Sequence, residues 1–131
     1  MSSINLVAVL LATVANMVLG AVWYGQFGES WLQCINKRKE DLNPSNPVPY
    51  IVALVGSLVN ALAMAYLFRL AGVETLLRGM GMGAALALFM ATATAAKHYA
   101  FSGWPAKLLA IDYGVDVVGF MIMGGILTMM A

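Results

Sequence analysis

The stretch IDYGVDVVGFMIMGGIL, residues 111–127, is apolar enough to cross a bilayer, yet it carries Asp112 and Asp116 one helical turn apart. A hydrocarbon core about 30 Å thick requires roughly 20 apolar residues in a helix. Each Leu, Ile, Val or Phe favours insertion by about 0.3–0.6 kcal/mol, whereas each central acid opposes it by about 2.5–3.5 kcal/mol. Summed over the last segment, the favourable contribution of the apolar residues and the unfavourable contribution of the two acids nearly cancel. We therefore expect the acids to lie near an interface, to be protonated or to have partners.

The composition of the whole chain indicates a membrane protein. Its 131 residues are 62% hydrophobic and only 10% charged, against about 25% charged residues in a soluble domain. A net charge of +1 provides no broad basic surface, so we expect no nucleic-acid partner. The single cysteine excludes an internal disulfide, and we find no Ser-His-Asp, paired-glutamate or phosphate-loop pattern. We predict a non-enzymatic protein without a cofactor or a metal.

Four apolar segments predict the fold. Backbone amides within lipid must be satisfied inside their own segment, and the alternating pattern of a membrane barrel is missing, so each segment is predicted to be a helix. The fold class is all-α, a single transmembrane domain over residues 1–131. A short interfacial helix is predicted within 28–42, between the first two spans. The four predicted membrane helices cover residues 4–24, 50–71, 77–101 and 106–131.

The distribution of Lys and Arg predicts the orientation in the inner membrane. The first connection contains Lys37, Arg38 and Lys39, and Lys97 and Lys107 flank the third connection. Because cytoplasmic loops are enriched in Lys and Arg, we expect the first and third connections in the cytoplasm and both termini outside.

Small and polar residues recur every fourth position along the helices. Such stripes let helix backbones approach closely in lipid, within one chain or between copies. Asn16 and Asn60 lie near mid-helix, and Ser57 belongs to the stripe of the second helix. An unpaired amide in lipid is costly, so we expect both asparagines to face the bundle and to form interhelical hydrogen bonds.

The acids of the last helix have predicted neighbours on the third. Counting outward from the turn at 103–105 places Asp112 level with Lys97 and His98, and Asp116 level with Thr94. We therefore predict an intramembrane polar cluster of Asp112, Asp116, His98, Lys97, Thr94 and Tyr99. If both acids ionised they would repel each other, so a proton or a cation should compensate. The cluster is either a structural ion pair or a proton or cation site.

Two motifs resemble a known family. The stretch LGAVWYGQFGESW (19–31) and the ending GWPAKLLAIDYGVDVVGFMIMGGIL (103–127) are similar to the domain-of-unknown-function 1761 family of small bacterial integral membrane proteins. The resemblance implies four helices and no established activity. The positions that match the recurrent residues of the family are Trp23, Tyr24, Gly25, Gly28, Trp31, Asp112 and Gly114.

These patterns favour an interaction role in the membrane. Small-residue stripes lie on more faces than a minimal bundle requires, so we expect a homo-oligomer or an accessory subunit of a membrane protein complex, surrounded by lipid. The alternative is a small transporter, or a proton- or cation-coupled channel, that uses the polar cluster.

Overall fold

The computed structural model describes residues 3–131, and within them the chain is helical with no β-strand. Four helical spans are long and apolar enough to cross a membrane, as the sequence predicts. The first, second and fourth spans are single helices, and the third span, Leu76–Ser102, contains three consecutive segments. The elements are α1 (Leu6–Cys34), a 3-10 turn (Lys39–Asp41), α2 (Val48–Ala71), α3 (Leu76–Ala85), a π-helix (Leu86–Thr92), α4 (Ala93–Ser102) and α5 (Ala106–Met129).

Helix α1 is longer than the sequence predicts, and the separate interfacial helix over 28–42 is not present. Residues 28–34 continue α1, which reaches 29 residues and therefore about 44 Å. That stretch contains no proline, and the ring of Trp31 packs edge-on against Tyr24 at 6.0 Å, which favours continuation of the helix. The helix ends at Ile35, before Asn36 takes a positive φ of 56°. Beyond it, only residues 39–41 form a helical turn.

Glycines close the two tight connections. Gly72 ends α2 with φ 65°, and Gly103 ends α4 with φ 75°. Residues other than glycine rarely adopt this left-handed backbone conformation, which lets the chain leave a helix abruptly. At the opposite end of the chain, Asn5 caps α1 by accepting hydrogen bonds from the amides of Val7 and Ala8, and its side chain donates to the carbonyl of Met130 at 2.7 Å. Helices α1 and α5 are therefore antiparallel, with both ends of the described chain on one side.

Helix α5 is the central helix of the bundle. It packs against α1, the third span and, less extensively, α2. Most of its buried residues lie in its last three turns, at Gly119, Met123, Gly124, Gly125, Leu127 and Thr128. The largest completely buried side chains are Val9 of α1, Met64 of α2 and Met123 of α5. Three spans therefore share one core around the second half of α5.

Glycine allows α3 and α5 to approach closely. A Cβ atom added at Gly83 would collide with the backbone carbonyl of Phe120, and one added at Gly124 would collide with the carbonyl of Gly79. Lipid provides little hydrophobic force between helices, so such backbone contact is a main source of association. Gly81, on the same helix, has open space around its Cα.

Within the third span, the π-helix interrupts the α-helical winding. Its hydrogen bonds span five residues, and the hydroxyl of Thr92 also donates to the carbonyl of Ala87 at 2.8 Å. Ala87 is completely buried, whereas Leu88, Phe89 and Met90 are exposed. The π-helix therefore joins the glycine-rich α3 to the polar α4.

We expect Gly83→Ala to destabilise the fold and Gly81→Ala to leave it unchanged or slightly more stable. The new methyl group at position 83 overlaps the carbonyl of Phe120, and overpacking of this kind costs about 1–3 kcal/mol. At position 81 the methyl is unobstructed, and Ala is favoured over Gly in a helix by about 1 kcal/mol. The measurement is the free energy of unfolding in detergent micelles. Equal stability of the two variants would contradict the close packing of α3 on α5.

Candidate functional site

Asp112 is held by two tyrosine hydroxyls from two other helices. Tyr24 of α1 donates to one carboxylate oxygen at 2.8 Å, and Tyr99 of α4 donates to the other at 2.7 Å. All three side chains are half-buried. We call this arrangement the Asp112 clamp. It joins α1, α4 and α5 and gives each carboxylate oxygen a hydrogen-bond donor, which lowers the cost of placing this acid within an apolar helix.

Aromatic rings surround the clamp. The indole N–H of Trp23 donates to the carbonyl of Ile111 at 2.9 Å, and its ring lies 3.0 Å from where a Cβ of Gly114 would be. Trp31 packs edge-on against Tyr24, and Tyr113 packs edge-on against Tyr99 at 5.9 Å. The two motifs that carry the family resemblance are therefore bound to each other: Trp23 and Tyr24 contact the segment from Ile111 to Gly114.

The second acid, Asp116, lies outside the clamp. It is half-buried one turn beyond Asp112, and its carboxylate accepts no hydrogen bond from any residue between 3 and 131. No group of three or more His, Cys, Asp or Glu side chains in that range is placed to hold a metal ion.

The predicted polar cluster is only partly assembled. Tyr99 and Asp112 are in contact, as expected, but the predicted partners Lys97, His98 and Thr94 are exposed on other sides of the third span. Counting from the turn placed this part of α4 beside Asp112, and the bond from Tyr99 agrees with that placement. Counting could not give the direction in which each side chain points.

The remaining positions of the first motif have simpler environments. A Cβ at Gly25 or Gly28 would meet no atom within 4 Å, so neither glycine is needed for a close contact inside the described chain.

The two mid-helix asparagines have different environments. The side-chain amide of Asn16 donates to the hydroxyl of Ser57 at 2.8 Å, and its oxygen faces the backbone of Gly119. This pairing joins α1 to α2 as predicted. Asn60, by contrast, is exposed, and its amide has no hydrogen bond within residues 3–131. The expectation that Asn60 faces the bundle is therefore wrong for the single chain, because Ser57, Ala61, Met64 and Phe68 occupy the packed face of α2.

A lateral cleft opens between α2 and the third span. Residues 72–75 connect these helices by a short turn, yet the backbone of α2 lies close to α1 and away from that of the third span, which α2 reaches with the side chain of Met64 at Gly83. Two adjoining cavities of about 490 and 300 Å³ share Leu67 and Leu86 and together form the cleft. Its polar lining residues are Asn60, Thr94, His98 and Tyr113.

Counting along one hairpin could not bring Tyr24 to Asp112. The counting related α4 to α5 only, whereas Tyr24 reaches Asp112 from α1. Asn5 at the start of α1 bonds to Met130 at the end of α5, so the same counting applied to α1 and α5 would have placed Tyr24 level with this region. The missing information was which helix lies beside α5.

We expect Tyr24→Phe and Tyr99→Phe each to destabilise the protein by about 1–3 kcal/mol, because each removes one hydrogen bond to a carboxylate. Tyr66→Phe is the matched control, since Tyr66 lies on α2 and is 53% exposed. A double-mutant cycle with Asp112→Ala should recover most of that energy as coupling. Unfolding of Tyr24→Phe at the same denaturant concentration as Tyr66→Phe would contradict the clamp.

The comparison with known proteins covers both motifs. The family model described as "Protein of unknown function (DUF1761)" matches residues 7–128, which is nearly the whole chain. No curated protein and no solved structure matches this chain. The matched range covers the four spans except for Leu6 and Met129, and it includes the residues of the Asp112 clamp and the lateral cleft. This chain belongs to the domain-of-unknown-function 1761 family.

Proposed function

We propose that the protein acts without enzymatic chemistry, as an interaction subunit that associates with other protein inside a membrane, in a homo-oligomer or as an accessory chain of a membrane complex. The observation that carries this proposal is the lateral cleft. In the single chain its polar side chains, Asn60, Thr94 and His98, are exposed at the flank of two membrane helices.

The chemistry of lipid supports an occupant of the cleft. Acyl chains provide neither donors nor acceptors, so a carboxamide such as that of Asn60 loses its hydrogen bonds wherever it faces them. A second protein surface can supply those bonds and can fill the cleft at the same time. The predicted stripes of α1 and α3 do not serve this purpose, because Ala8, Ala12, Gly79 and Gly83 are buried within the chain.

The setting we propose is the bacterial inner membrane, with the first and third connections in the cytoplasm. The support is the position of Lys37, Arg38 and Lys39 in the first connection and of Lys107 after the third. A membrane-impermeant thiol reagent should therefore label Ser45→Cys, in a Cys34→Ser background, only after the membrane is opened. Labelling in intact cells would reverse this orientation.

We expect the protein, extracted in mild detergent and weighed by native mass spectrometry, to have a mass above that of one 13.9 kDa chain. The extra mass should be one or more further copies or a stoichiometric partner. Filling the cleft by Ala63→Phe should lower the fraction of the assembled form, whereas Val22→Phe, at an exposed position of α1, should not. A lone monomer with no co-purifying protein would refute the proposal.

Proton or cation transfer is a second candidate function, favoured by Asp116. This acid is half-buried and accepts no hydrogen bond in the described chain, so it is the acid left free to exchange a proton or bind a cation. The Asp112 clamp favours a structural role for the other acid. Proteoliposomes loaded with a pH-sensitive dye provide the test. A flux that falls in Asp116→Asn but not in Glu29→Gln would support transfer, and a flux equal to that of empty liposomes would eliminate it.

A further inference from the structure

One face of α2 combines full exposure with the spacing of a helix-pairing seam. Its members recur at alternating intervals of three and four residues, the repeat of a left-handed helix pair. All of them are exposed in the single chain. This face lies beside the packed face of α2, and its second half, from Asn60 to Leu70, forms one wall of the lateral cleft. The residues of this face, here called the α2 seam, are Ala53, Gly56, Asn60, Ala63, Leu67 and Leu70.

The first half of the α2 seam leaves room for another backbone. A Cβ at Gly56 would meet nothing within 4 Å, whereas Gly83 and Gly124 are each required by a close contact inside the chain. Ala53 and Ala63 extend the low surface on either side of Gly56 and Asn60. Small residues at such positions let a second helix approach closely in lipid.

Asn60 indicates which helix the α2 seam accepts. It lies near the middle of α2, and its carboxamide needs both an acceptor and a donor across the contact. An identical carboxamide supplies both. Two copies inserted in the same orientation are related by a twofold axis along the membrane normal, which makes their α2 helices parallel and places the two Asn60 side chains at the same depth. A single asparagine within an apolar seam is a known determinant of register in parallel helix pairs.

We propose that two copies of this chain pair in parallel through the α2 seam, with the Asn60 carboxamides hydrogen-bonded to each other across the twofold axis. This inference rests on the proposed function and names its partner as a second copy. Because Asn60, Ala63 and Leu67 also line the lateral cleft, the incoming helix covers the open side of that cleft.

Cysteine crosslinking in native membranes tests the pairing, since the chain has only one cysteine, Cys34. In a Cys34→Ser background, oxidation should convert Ala63→Cys into a disulfide-linked dimer. Leu62→Cys is the matched control at the same depth, because it lies about 100° away around α2 and is 37% exposed. Asn60 is intact in both variants. The expected result is a strong dimer band for position 63 and a weak one for position 62.

A second variant tests the carboxamide itself. Asn60→Leu should weaken dimerisation by about three- to thirtyfold, the range expected for one interhelical hydrogen bond, and Asn60→Gln should restore part of it. Unchanged crosslinking of Ala63→Cys in the Asn60→Leu background would overturn the pairing of the carboxamides.

The outcomes separate this inference from the proposed function. If the native mass exceeds one chain but position 63 crosslinks no better than position 62, the α2 seam is not the interface, and the proposed function stands. If position 63 captures a different protein in place of a second copy, the named partner is wrong. A monomer by mass with no crosslink at either position overturns both.

Discussion

Close backbone approach to α5 is the constraint on which the rest of the structure depends. Lipid does not drive these helices together, so their packing requires surfaces on which backbones can touch. Gly79 and Gly83 of α3 meet Gly124 and Phe120 of α5, and Asn16 of α1 faces Gly119 from another side. Because α1 and the third span cover most of the packed surface of α5, α2 is held mainly by α1, and the cleft lies between α2 and the third span.

The acid that makes the α5 sequence unusual becomes part of this packing. Asp112 would oppose insertion as an isolated charge, but two tyrosine hydroxyls satisfy its oxygens and come from helices that reach α5 on different sides. The same carboxylate therefore links α1 and α4 at the end of the bundle opposite the bond between Asn5 and Met130. Interhelical hydrogen bonds thus connect helices at both ends of the bundle, and glycine contacts join α3 to the second half of α5.

Much of this fold was predictable because membrane helices can be recognised in a sequence by their length and apolar composition. The four spans follow from hydropathy, and the turn at Gly103 follows from the short gap between the last two spans. That Tyr99 and Asp112 belong to one cluster was also predicted, although counting along the hairpin placed Lys97 and His98 level with Asp112. The end of α1 was not predictable in that way, since hydropathy detects where a helix leaves lipid and not where its winding stops. The outward position of Asn60 was also missed, because a preference for burial cannot choose between the interior of one chain and a contact with another.

The π-helix explains why a tyrosine and not the histidine beside it meets Asp112. In an unbroken α-helix each residue turns by about 100° around the axis. The sixteen steps from Gly83 to Tyr99 would therefore place these two residues about 160° apart around the helix. Both nevertheless face α5, one against Phe120 and the other against Asp112. Wider turns at Leu86–Thr92 place more residues in each turn and so delay the rotation of everything that follows. The π-helix thus shifts which residues of the third span face α5. The first half of the span presents glycines to α5, and the second half presents the hydroxyl of Tyr99. His98 faces the cleft.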